Sequence, residues 1–78
     1  MSEMAWTTFD RWLARRAHRD DGVGDLAGDA RHDPDFPTAN SLNAYRDHLT
    51  DLGACDGAHD SLECAWLEYK AYRGVSLR

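Results

Sequence analysis

The stretch His32-Asp33-Pro34-Asp35-Phe36-Pro37 constrains this chain more than any other. The ring of Pro34 clashes with the backbone of the residue before it, so Asp33 is pushed out of the helical region. A helix arriving from the N-terminal side must therefore end near Asp33. Pro37 acts in the same way on Phe36 and holds it extended. Phe36 is also the only large apolar side chain between Leu26 and Leu42. The corner is thus expected to pin itself to the core through one aromatic ring, a structural device and not a catalytic one.

Helical periodicity runs along both sides of this corner, and no stretch shows the alternation of a strand. The first helix is expected from about Thr8 to His18, with Thr7 or Thr8 as N-cap. Trp6, Phe9, Trp12, Leu13 and the stem of Arg16 fall on one side, and Arg11, Arg15, His18 and Arg19 on the other. A turn at Arg19–Gly22 leads into a second helix over about Val23 to His32, capped by Asp20 or Asp21. Val23, Leu26, Ala27 and Ala30 form its apolar stripe, with Asp25, Asp29 and Asp33 along the opposite face. The third helix follows a cap at Asn40 or Ser41 and runs to about Leu52, carrying Leu42, Tyr45, Leu49 and Leu52 on one face. Gly53 suits the left-handed residue that closes such a helix. Residues 53–60 read as a loop with a turn at Asp56-Gly57. The fourth helix is expected to start after a cap at Asp60 or Ser61 and to stop at Gly74. Its stripe is Leu62, Ala65, Trp66, Tyr69 and Tyr72, the strongest in the chain.

These patterns predict an all-α bundle of four short helices. A chain of 78 residues makes one domain, expected over residues 6–74 with 1–5 and 75–78 frayed. A domain of this size buries only about 60% of what its unfolded chain exposes, so each aromatic residue matters to the core. The expected core is Phe9, Trp12, Leu13, Leu26, Ala27, Ala30, Phe36, Leu42, Tyr45, Leu49, Leu62, Ala65, Trp66 and Tyr69. No apolar run approaches the ~20 residues that span a bilayer, so no membrane association is expected. The N-terminus has no basic segment leading into a long apolar run. A cytoplasmic location follows as the expectation, and reduced, separate thiols at Cys55 and Cys64 accord with it.

With the corner and the fourth helix in place, the chain resembles the YozE family, small bacterial proteins with a sterile-alpha-motif-like (SAM-like) fold. Phe9 and Trp12-Leu13 carry the resemblance in the first helix, followed by GDLAGDARHDPDFP from Gly24 to Pro37. Tyr45 and Leu49 and then ECAWLEY from Glu63 to Tyr69 complete it, so that it covers about residues 6 to 73. The aspartate-phenylalanine-proline corner combined with the late Ala-Trp-x-x-Tyr is what makes it specific. The resemblance implies a SAM-like bundle of four or five helices. It implies no catalytic residues, the family being functionally uncharacterised. SAM-like folds host protein–protein contacts, self-association and some nucleic-acid binding, and fold alone carries function only by analogy.

The chemistry-bearing residues point the same way. His18, His32, His48, His59, Cys55 and Cys64 lack the paired spacings of a zinc site. The acidic residues sit at caps and on polar faces, there is no glycine-rich phosphate loop, and neither cysteine has a nucleophile's setting. No cofactor and no enzymatic activity are expected. The charge pattern is more informative. Arg11, Arg15 and Arg19 repeat at i, i+4 and i+8, as do Asp25, Asp29 and Asp33. Like charges at that spacing destabilise a lone helix by about 0.2–0.5 kcal/mol per pair. They are either solvated faces, paired with one another across the hairpin of the first two helices, or the two halves of an intermolecular contact. The partner is then another copy of the chain or an unknown protein. A net charge of −5 weighs against nucleic acid, although the arginine face together with His18, beside Trp6, keeps that reading open. The expected function is a small non-catalytic protein-interaction module, and the alternative is a nucleic-acid-binding accessory protein using the basic face of the first helix.

Overall fold

The computed structural model describes residues 7–39 and 41–76, with side chains through Arg73. Four helices follow one another: α1 (Phe9–Ala14), α2 (Gly22–Arg31), α3 (Leu42–Asp51) and α4 (Asp56–Ser76). Among the described residues there is no strand, as the periodicity predicts. α4 is the spine. It packs against each of the other three helices, most extensively against α2.

The interior is built on aromatic rings. Phe9, fully buried on α1, has its ring centroid 4.7 Å from Tyr45, 5.1 Å from Trp66, 5.4 Å from Tyr69 and 6.0 Å from Trp12. Edge-on and tilted geometries dominate, the arrangement that ring quadrupoles favour. Leu13, Val23, Leu26, Ala27, Leu49, Leu62 and Ala65 complete the buried core. Ala30, Phe36, Leu42 and Trp66, expected inside, are half-buried against it instead. Leu52 shares the apolar face of α3 but is 61% exposed, because as the C-cap residue it lies past the last turn that the neighbouring helices cover. Trp6 and Asn40 lie outside the described residues.

Four helix ends depart from the periodicity. α1 ends at Ala14, four residues before His18. From there Arg16 N–H bonds to the Leu13 carbonyl and Arg19 N–H to that of Arg16, an i→i−3 pattern that tightens the chain into a turn. α2 stops at Arg31 with His32 as its cap, leaving Asp33 outside the helix. α4 begins at Asp56, so Asp60 and Ser61 lie inside it and the expected loop is shorter. It also continues through Gly74 to Ser76.

The early start of α4 has a local cause. Gly53 takes a φ of 71°, its N–H bonds to Thr50 O at 3.0 Å, and Ala54 N–H bonds to Leu49 O at 3.0 Å. This pair of bonds is the Schellman closure of α3. It reverses the chain in two residues, so the Cys55 carbonyl already accepts from Ala58 and His59 and Asp56 sits favourably in the first turn. Asp21 caps α2, its Oδ1 accepting from Gly24 N–H at 2.9 Å. Two tyrosines tie the connecting segments down: Tyr69 donates to Thr7 O at 2.7 Å and Tyr45 to Ala39 O at 2.6 Å.

Two glycines of α2 are predicted to respond oppositely to alanine. A Cβ on Gly24 would run into the carbonyl of Arg19 in the preceding turn, a backbone atom that cannot swing away. Gly24→Ala should therefore lower stability by about 1–3 kcal/mol through overpacking. Gly28 has open space around it, and Gly28→Ala should raise stability by about 0.5–1 kcal/mol by restricting the unfolded chain. Urea melts of the two variants check both signs.

Candidate interaction surfaces

The corner after α2 is held by polar contacts as well as by Phe36. The Asp33 carboxylate accepts from His48 Nε2 at 2.6 Å and from Asp35 N–H at 2.9 Å. His48 lies one turn beyond Tyr45 on α3, and the Phe36 ring meets both, 5.4 Å from Tyr45 and 5.7 Å edge-on from His48. The sequence reading placed Asp33 on a helical acidic face. Here it is instead the anchor of the turn, and His48 is the partner that reading missed. The hydrogen bond from His48, followed by that from Asp35 N–H, lowers the Asp33 pKa below the ordinary aspartate value.

The corner, the end of α3 and the start of α4 enclose a groove of about 340 Å³ against α2. Leu26, Ala30, Pro34, Phe36, Leu49, Leu52, Ala54 and Ala58 make its wall mainly apolar, with Asp29, His32 and Asp33 at the edge. The Schellman turn at Gly53 builds this wall, because it folds Ala54 back over Leu49 and leaves Leu52 at the lip. A second shallow hollow shares Leu26, Asp29 and Ala58 and extends past Asp25 and Cys55 toward Ser61. The two run together along the α2–α4 face.

The six charged residues singled out in the sequence separate into engaged and unengaged groups. Arg19 lies beyond α1 and donates to Asp21 from Nε at 3.1 Å and to Glu68 at 2.7 Å. Glu68 and then Asp21 raise its already high pKa. Asp33 is taken by His48. Arg11, Arg15, Asp25 and Asp29 are exposed, and among the described residues none of them forms an ion pair. The two stripes thus do not pair across the α1–α2 hairpin. Arg15, moreover, is the C-cap of α1 and Arg19 follows the turn, so a continuous basic helical face of three arginines does not form. Sequence spacing could not reveal this, because no glycine or proline marks the end of α1.

The remaining chemistry is sparse. Cys55 and Cys64 are exposed free thiols. Among the described residues no three of His, Cys, Asp and Glu gather where they could hold a metal ion. None of the described helices is long and apolar enough to cross a membrane.

A short helical bundle closed by a long C-terminal helix, with an aromatic core and a proline-fixed corner, has the architecture of a SAM-like domain. The family model for the YozE SAM-like fold matches residues 8–71, and the chain belongs to that family. Neither a curated protein nor a solved structure matches it.

The Asp33–His48 contact predicts a pH dependence. A carboxyl whose pKa is lowered on folding stabilises the fold above its unfolded value, and that contribution is lost as the pH falls through the folded value. Stability should therefore decline as the pH drops below 3.8, the ordinary aspartate value. Asp33→Asn should be less stable than the parent near neutrality and lose less over this acid window. Urea midpoints across that range check it; equal acid losses in both proteins would show that the pair contributes nothing.

Proposed function

We propose that this chain is a small non-catalytic protein-interaction module that self-associates through complementary charged faces. The observation that carries this reading is that Arg11 and Arg15 on one side, and Asp25 and Asp29 on the other, are exposed and have no ion-pair partner among the described residues. The basic surface of one copy meets the acidic surface of the next. Because the two surfaces differ, the contact is heterologous and extends from copy to copy unless a ring closes it. Screening by salt weakens such exposed contacts, since the Debye length shrinks from about 30 Å at 0.01 M to about 3 Å at 1 M.

A second reading puts the same arginines on nucleic-acid phosphates. Arg11 and Arg15 support it by their exposure. The engagement of Arg19 with Glu68 and Asp21 leaves that stripe two cations without an ion pair among the described residues, a small footprint on a chain of net charge −5. Two phosphate contacts correspond to a salt slope of only about −2 in log–log form.

Light scattering on a sizing column is predicted to give a mass above one chain at low salt and one chain at high salt. Arg15→Glu and Asp29→Lys should each be monomeric at low salt. Mixed together they should form heterodimers, because one retains the acidic half and the other the basic half. A parent protein that is monomeric at both salts, or a mixture that stays monomeric, overturns the self-association reading. A salt-sensitive titration with duplex or single-stranded oligonucleotides, lost in Arg15→Glu, would favour the second reading instead.

A further inference from the structure

The groove beside α2 differs from the charged faces in one respect: it has an apolar floor. Leu26 and Leu49 are buried at its base, and Leu52 stands at its lip 61% exposed to water. Exposing so much of a leucine next to a concave apolar surface leaves burial free energy unused, which is what a docking side chain would recover. Aspartates dominate the charge around this floor, with His32 at its edge and Arg31 in the adjoining hollow of Ala30, Asp33 and Phe36. Asp29 lies on the wall, Asp25 one turn earlier on α2, Asp51 beside Leu52 and Asp56 at the start of α4, all exposed. None of these aspartates forms an ion pair among the described residues. Among the described residues, neither hollow of the α2–α4 face has a lysine or arginine in its wall. Nucleic acid, phosphate groups and anionic lipid are all repelled by such a rim.

A second copy of the chain fits the rim but not the floor. Its Arg11 and Arg15 lie beside Phe9, Trp12 and Leu13, which are buried. Among the described residues the exposed large hydrophobic side chains are Leu52 and Leu67, and neither belongs to α1. Self-association would neutralise Asp25 and Asp29 and leave the floor unfilled. An occupant that meets both requirements carries apolar side chains along one face and lysines or arginines beside them. Helices lying in grooves are read in this way, through anchors at i, i+3, i+4 and i+7.

We propose that the groove binds a cationic amphipathic helical segment of a partner protein, its apolar anchor seated on Leu26, Leu49 and Leu52 and its basic residues facing Asp25 and Asp29. This site shares Asp25 and Asp29 with the self-association surface but rests in addition on the apolar floor, so a failure of self-association leaves its own test intact.

The test uses the full chain and a fluorescein-labelled synthetic peptide with leucines at helical spacing and lysines between them. A scrambled peptide of equal composition is the control. Anisotropy is read at a protein concentration where light scattering gives one chain. The patterned peptide should bind at least about tenfold more tightly than the scrambled one. Leu52→Ser, a change at an exposed position that leaves the core intact, should weaken binding about tenfold, and Asp29→Asn about threefold. Leu67→Ser, equally exposed but on the far side of α4, should leave it unchanged. No binding, equal binding of both peptides, or indifference to Leu52→Ser overturns the proposal. If Leu52→Ser instead abolishes self-association without peptide, the occupant is a second copy and the proposal is likewise overturned.

Discussion

The ring of Phe9 is the contact on which the rest of the packing depends. α1 is only six residues long, far below the length at which a helix holds itself together in water. It persists because its first residue reaches rings of α3 and α4 at once, through Tyr45, Trp66 and Tyr69. Those rings carry the connecting segments with them. The hydroxyl of Tyr69 holds the entry to α1 at Thr7, and that of Tyr45 holds the approach to α3 at Ala39. Burial raises the pKa of the Tyr45 phenol, with the nearby Asp10 charge adding to it, so this donor stays protonated. One apolar cluster thereby fixes both the helices and two of the paths between them.

The corner at Pro34–Pro37 uses a different combination of forces. Proline removes the helical option, Phe36 supplies apolar contact, and Asp33 supplies directional hydrogen bonds to His48 and to the Asp35 backbone. Phe36 remains half-buried, so apolar contact alone would hold the segment loosely. The carboxylate fixes where α2 ends relative to α3, and therefore the width of the groove between them. A structural corner and a candidate binding wall are built from the same residues.

Charge serves two purposes in this small protein. Arg19 with Asp21 and Glu68, and Arg46 with Glu63 at 2.6 Å, join elements within the fold. Among the described residues, Arg11, Arg15, Asp25 and Asp29 form no such pair. Exposed ion pairs contribute little to stability, so leaving these charges exposed costs the fold little. The YozE SAM-like assignment describes the scaffold, and beside Asp25 and Asp29 that scaffold carries an apolar groove.

Sequence alone determined the helical class, the four elements, most of the core, and the corner with its aromatic plug. These follow from local rules: apolar spacing near 3.6 residues, proline sterics, and a glycine suited to positive φ at Gly53. It also singled out the charged residues, though not which of them stay free. The ends of α1 and α4, the retreat of Trp66 and Leu52 toward the surface, and the partners of Arg19 and Asp33 depended on what lay opposite each residue. Glu68 is 49 positions from Arg19 and His48 is 15 from Asp33, separations that no helical period encodes. The groove was beyond local reading for the same reason: Leu26, Leu49 and Ala58 belong to three helices and Leu52 to the turn after α3, and only tertiary packing brings them to one concave surface.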